Sequence, residues 1–175
     1  MEGRTPAEAV NAFVEPIGRA VFCISTAVVT VGGGYYPAPQ PHSLVLNAGS
    51  VTRLASDLFM DIGLRYRIVE SVERRGIWEV TVVGYRYKLS GAAGQDIISY
   101  HWHPSGASFV TFPHVHIGVA SRVGDSRVGQ AHLPTGRVPP QSFLHLLITD
   151  FGVAPRRANW EQVLTETQSV FADWG

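Results

Sequence analysis

From Leu64 onward the chain alternates apolar and polar residues with a period of two, and few folds accept that pattern over so long a stretch. Leu64 to Arg74, Ile77 to Leu89, Gln95 to His103 and Phe112 to Ala120 read as four strands. Arg75-Gly76 and Ser90 to Gly94 between them read as tight turns. Strands that follow one another through short turns pair as an antiparallel meander.

The flanks are helical. Thr5-Pro6-Ala7-Glu8 is a helix start, with Thr5 as cap, Pro6 at the first helical position and Glu8 three residues after the cap. Val10, Phe13, Val14 and Ile17 form an apolar stripe, and Pro16 predicts a kink or an early end. Ser25 to Val31 is extended until Gly32-Gly33-Gly34; Tyr35 to Pro41 is a surface loop, and Ser43 to Leu46 a short strand. Beyond the meander, Gly124 to Gln130 reads as a polar turn and Ala131 to Val138 as an irregular return. Pro139-Pro140 opens a helix through Phe143, Leu144, Leu146, Leu147 and Ile148, ended by Gly152. Asn159 is placed to cap a second, with Gln162 completing a capping box and Trp160, Val163, Leu164 and Phe171 on its apolar side. The expected fold is α+β: an antiparallel meander sheet with an N-terminal helix and two C-terminal helices packed on one face, a single domain over residues 1–175.

Composition narrows the function classes. Fourteen basic and fourteen acidic side chains cancel, which excludes a strongly basic nucleic-acid coat and an acidic solvating tail. The single cysteine, Cys23, excludes an internal disulfide and a multi-cysteine zinc cage. No apolar run is long enough to span a bilayer. Ala20 to Val31 is apolar, but Glu2, Glu8 and Glu15 precede it where a signal peptide carries basic residues. A cytoplasmic protein with no membrane partner is expected. Gly32-Gly33-Gly34 lacks the Gly-Lys-Ser/Thr continuation of a phosphate-binding loop, and Gly-x-Ser-x-Gly is missing. The two C-terminal helices are too apolar to read DNA and form a packed hairpin.

Five of the seven histidines, His101, His103, His114, His116 and His132, fall in one short segment. Strand parity puts His101 and His103 on one face with Ile97 and Ser99, and Ile98, Tyr100 and Trp102 on the other. His114 and His116 share a face with Gly118 and Ala120, small residues that leave room for a substrate, while Val115, Ile117 and Val119 face the helices. Closing the two strands through Pro104 to Pro113 sets His103 opposite His114 and His101 opposite His116, four imidazoles in a quadrilateral.

Imidazoles so close depress one another's pKa and call for a compensating partner. A divalent metal, zinc or manganese, held by His101, His103, His114, His116 and His132 would compensate, and three histidines plus water is an open catalytic geometry. Without metal, two histidines of different pKa act as general acid and base on a phosphodiester. The bland alternative is a hydrogen-bonded histidine layer with no chemistry. Arg137, in His132-Leu-Pro-Thr-Gly-Arg137, is an auxiliary that offers a guanidinium to an anion. Tyr85 and Tyr87 are candidates to stack bases if they share the histidine face, although core positions suit them better. Glu79 is the one carboxylate that the second strand can bring to that face. His42 and His145 read as incidental.

Tyr100-His-Trp-His-Pro104 followed by Phe112-Pro-His-Val-His116 resembles the TumE-like group of small bacterial proteins, toxin components of toxin–antitoxin pairs. The chain as a whole is similar to a conserved family of actinobacterial type, which implies no particular activity. His114-Val-His116-Ile-Gly118 departs from the histidine-triad hydrolases, which carry a third histidine where Gly118 stands. The resemblance implies a phosphodiester hydrolase of ribonuclease-toxin type, with His101, His103, His114, His116 and Arg137 catalytic and RNA as substrate. The alternative is a non-catalytic module whose histidine face, or Tyr35 to Pro41 loop, docks an antitoxin-like protein partner.

Overall fold

The computed structural model describes residues 1–54, 57–105, 109–118, 121 and 126–171, and the architecture below concerns those residues. It is α+β, a mostly antiparallel open sheet with one N-terminal and two C-terminal helices. The long strands are β5 (Phe59–Glu70), β6 (Trp78–Ser90) and β7 (Asp96–Trp102). On one side lie β3 (His42–Leu46) and β2 (Val29–Gly32); on the other lie β8 (His114–Ile117) and β9 (Leu133–Pro134). Two-residue strands β1 (Glu2–Gly3) and β4 (Thr52–Arg53) pair with β6 and β5.

Alternation builds the core. In β5, Met60, Ile62, Leu64, Tyr66 and Ile68 are buried on one face, and β6 adds Val80, Val82, Tyr85, Tyr87 and Leu89. The helix α1 (Pro6–Val21) lays Val10, Phe13, Ile17 and Val21 on this face, with Phe13 5.0 Å from Tyr66. Helices α3 (Pro140–Thr149) and α4 (Trp160–Ser169) complete the layer through Phe143, Leu144, Leu147, Val163 and Leu164. Phe143 stacks on Tyr87 at 5.6 Å and meets Tyr100 edge-on at 6.1 Å. With the helices on one face, the other is left for function.

Local rules hold at α1's start: the Thr5 hydroxyl accepts from the Glu8 N–H at 3.2 Å, and the Glu8 carboxylate accepts from the Arg4 N–H at 2.7 Å. They fail at Pro16, through which α1 continues to Val21. The proline costs about 3 kcal/mol. Ile17, Ala20 and Val21 beyond it are fully buried, and large apolar side chains gain about 1.5–3 kcal/mol each, so burial prevails. Asn159 stands at the cap position of α4 without a side-chain capping bond, and Gln162 donates to Glu166 rather than closing a box. The extended segment narrows to Val29–Gly32, because Ser25 Oγ accepts from the Ala27 N–H in a turn.

The meander has the expected order but different bounds. Its first strand begins at Phe59 and ends at Glu70, and its fourth is only His114–Ile117. Pro113, with no N–H to donate, stops the ladder before His114. Residues 126–130 of the expected polar turn form a short helix, α2 (Ser126–Gln130), while 122–125 lie outside the described residues, as do Val119 and Ala120.

Candidate functional site

The register of β7 and β8 differs from the expected one. His101 lies opposite His114, and Ser99 opposite His116. The shift is two residues, so every histidine keeps its face, but His103 falls past the end of β7. Gly118 explains the choice. Its N–H donates to the Ile97 carbonyl at 2.8 Å, and a Cβ there would run into the backbone of Asp96.

The five histidines converge on the sheet face away from α1, α3 and α4, with Gly129 of the short helix at 126–130 beside His101 and His116. Ring centroids lie 4.5 Å apart for His116–His132, 4.9 Å for His114–His116 and 5.0 Å for His114–His132. His101 is 5.3 Å from His116 and 5.7 Å from His114; His103 is 5.4 Å from His114 and 6.0 Å from His101. His132 arrives through β9, whose Leu133 and Pro134 pair with Val115 and His114.

His114 is fully buried. Its Nδ1 lies 2.9 Å from the Phe112 carbonyl, an acceptor, so Nδ1 carries the proton. Nε2 therefore presents a lone pair, and that buried atom has no hydrogen-bond partner. Donor nitrogens of His114, His116 and His132 all lie within 4.8 Å of one another. A tetrahedral zinc bound at about 2.0–2.1 Å needs ligand atoms roughly 3.4 Å apart. His132 is exposed and His116 half-buried, so the closure a zinc would require falls to these two side chains rather than to buried His114.

His101, His114 and His116 are each shifted toward neutral imidazole. Burial, then neighbouring His116, His114 and His103 and the Arg86 guanidinium, push His101 down to about 4. Burial lowers His114, with His132 and His103 adding to the effect and the Phe112 carbonyl opposing it. Burial also lowers His116, reinforced by His114, His132 and His103 and opposed by Asp96.

Asp96 was not legible in the sequence. Ile97 is an extra residue between the pairs Leu89–Ile98 and Ser90–Asp96, and this bulge brings Asp96 beside Ser99, His101 and His116. Its carboxylate is held by Lys88 Nζ at 2.5 Å. No residue type in the sequence marks this bulge.

Other candidates lie elsewhere. The Arg137 guanidinium stacks 4.3 Å over the Trp102 ring on the helix side, not among the histidines. Glu79 stands near the opposite end of β6, pairing with Arg74 at 3.6 Å. Tyr85 and Tyr87 are both core residues, stacked on each other at 4.7 Å. In their place Arg86 and Lys88 face the histidine side, opposite His101 and Ser99. His145 packs on Trp160 at 5.5 Å, and His42 is buried against Tyr66 at 5.3 Å.

A scan of the chain against protein-family models finds no match, and searches of curated proteins and of solved structures find none either. Among the described residues, no helix is long and apolar enough to cross a membrane. The functional reading therefore rests on the geometry of the histidine face.

Proposed function

We propose that His114, His116 and His132 hold a divalent metal, zinc or manganese, and that the protein is a metal-assisted phosphodiester hydrolase. The observation that carries this is the buried, unpartnered Nε2 of His114, aimed by the bond from Nδ1 to the Phe112 carbonyl, beside two further imidazole donors. A ligating histidine characteristically gives its other N–H to a carbonyl or carboxylate, which fixes its tautomer. His114 and His116, shifted toward the neutral form, are ligands as they stand.

A zinc held by these three imidazoles would supply an activated water at neutral pH. His101, one strand away from His114, would be the residue to orient the water or the scissile group. His101, His114 and His116 are all pushed toward the neutral form, which makes these three poor choices for the protonated partner of a metal-free acid–base route. RNA is the substrate this reading names, and it places the protein in the cytoplasm.

The test is hydrolysis of RNA by the chelator-treated full chain with zinc or manganese restored. Metal-dependent cleavage is expected, falling about 100-fold or more in His116→Ala and unchanged in His145→Ala. Cleavage indifferent to metal and to His116 overturns the proposal. A chain that binds no metal and cleaves nothing supports the protein-docking alternative, for which the 77% exposed Tyr36 of the 35–41 loop is the natural contact.

A further inference from the structure

The histidines end a row that crosses the whole outer face. Val45, Gly63, Arg86, His101 and His114 lie directly opposite one another on β3, β5, β6, β7 and β8. Adjacent strands are about 4.8 Å apart, so Arg86 sits roughly 10 Å from His114. Gly63 has no side chain, and a depression opens there whose lining is mostly apolar, with Val45, Leu64, Tyr85 and Trp102 contributing beside Arg65 and Arg86.

Two guanidinium groups border the depression. Arg86 is oriented by Asp61 at 2.5 Å and keeps further N–H donors for a ligand. Arg65 is exposed, and among the described residues it has neither a hydrogen bond nor an ion pair. Arg67 follows on the same face, bonded to the Pro39 carbonyl at 3.1 Å. Against Arg65, Arg67, Arg86 and Lys88, this stretch carries Asp61 and Asp96, so the outer face is locally basic in a chain with no net charge.

We propose that this depression is a phosphate subsite, in which Arg65 and Arg86 hold a backbone phosphate of a single-stranded nucleic acid two strands away from the metal-binding histidines. The inference rests on the hydrolase reading above and adds the direction in which the substrate runs: across β7 and β6 toward β5, not toward α2. A guanidinium fork matches phosphate oxygens, and the absent side chain at Gly63 lets the strand approach the sheet. Tyr85 and Trp102 also line the depression but are only 4% and 8% exposed, too little for a base to stack on, so the subsite reads backbone rather than bases.

The test is binding of a fluorescein-labelled eight-nucleotide oligo(U) to the full chain without metal, followed by anisotropy over a range of salt. Arg65→Ala is expected to weaken binding about tenfold and to lower the salt slope by about 0.7, the loss of one phosphate contact. Gly63→Leu should weaken it similarly by filling the depression. The nearest atoms to a Cβ at Gly63 are Val45 Cγ1 at 3.9 Å and two backbone carbonyl oxygens at 4.0 Å, ordinary contacts, so the backbone accepts a side chain there, and circular dichroism and the urea midpoint check that the variant folds. Arg4→Ala, away from the row, serves as control. Equal affinity in all variants, equal binding of an oligo-glutamate peptide, or displacement by sub-millimolar inorganic phosphate overturns the proposal. Zinc binding is measured on the same proteins. Its absence in the wild type, with Arg65-dependent oligonucleotide binding intact, counts against the hydrolase reading and leaves the subsite standing.

Discussion

At the scale of the residue, His114 is asymmetric: one ring nitrogen is satisfied by the Phe112 carbonyl, and the other is buried without a partner. An unsatisfied buried acceptor is costly, and a metal ion removes that cost. Zinc at 100 times its Kd is expected to stabilise the fold by about 2.7 kcal/mol, about 5–10 °C in Tm, and His116→Ala to cut the shift at the same zinc concentration by about half or more. Differential scanning fluorimetry with and without zinc checks this. The histidines also set a pH dependence. His101 falls from an ordinary 6.5 to about 4, and His114 and His116 move the same way. The unfolded chain then binds more protons than the folded one between about 6.5 and 4. Stability is expected to be fully present above pH 6.5 and to fall as pH drops toward 4, as denaturant titrations across that range would show. A metal-free protein whose stability stays flat from pH 7 to 4 contradicts the arrangement.

At the scale of the element, parity and register carried different information. That the histidines share a face follows from alternation alone, and a slip of two residues cannot disturb it. Which histidines stand opposite depends on Gly118 meeting Asp96, a contact between residues far apart in sequence. The same holds for the bulge at Ile97 that delivers Asp96, and for α1, where tertiary burial overrides a proline that local rules treat as an end. Gly118→Ala is expected to destabilise by about 1–3 kcal/mol, because a methyl group must displace the Asp96 backbone. Urea denaturation checks it, and an unchanged midpoint contradicts the register.

At the scale of the molecule, the sheet separates two tasks. The helix-covered face holds the core, and the α+β layout was legible because its periodicities are long and unambiguous; the opposite face holds the histidines and the basic row. Arg137, expected beside the histidines from its closeness in sequence, lies on the other side of this partition, over Trp102. Substitutions should divide the same way. Phe143→Ala is expected to cost about 3–5 kcal/mol with zinc affinity unchanged. His132→Ala, at an exposed position, should change metal-free stability by no more than about 0.5 kcal/mol while weakening zinc binding. Paired denaturation and titration measurements on the two variants test this independence.

The convergence of three imidazoles on one ion is tested most directly by equilibrium dialysis of the chelator-treated chain against zinc. One ion per chain is expected, with affinity reduced at least tenfold in each of His114→Ala, His116→Ala and His132→Ala and unchanged in His145→Ala. No zinc retained by the wild type, or retention that none of the three substitutions diminishes, would contradict it.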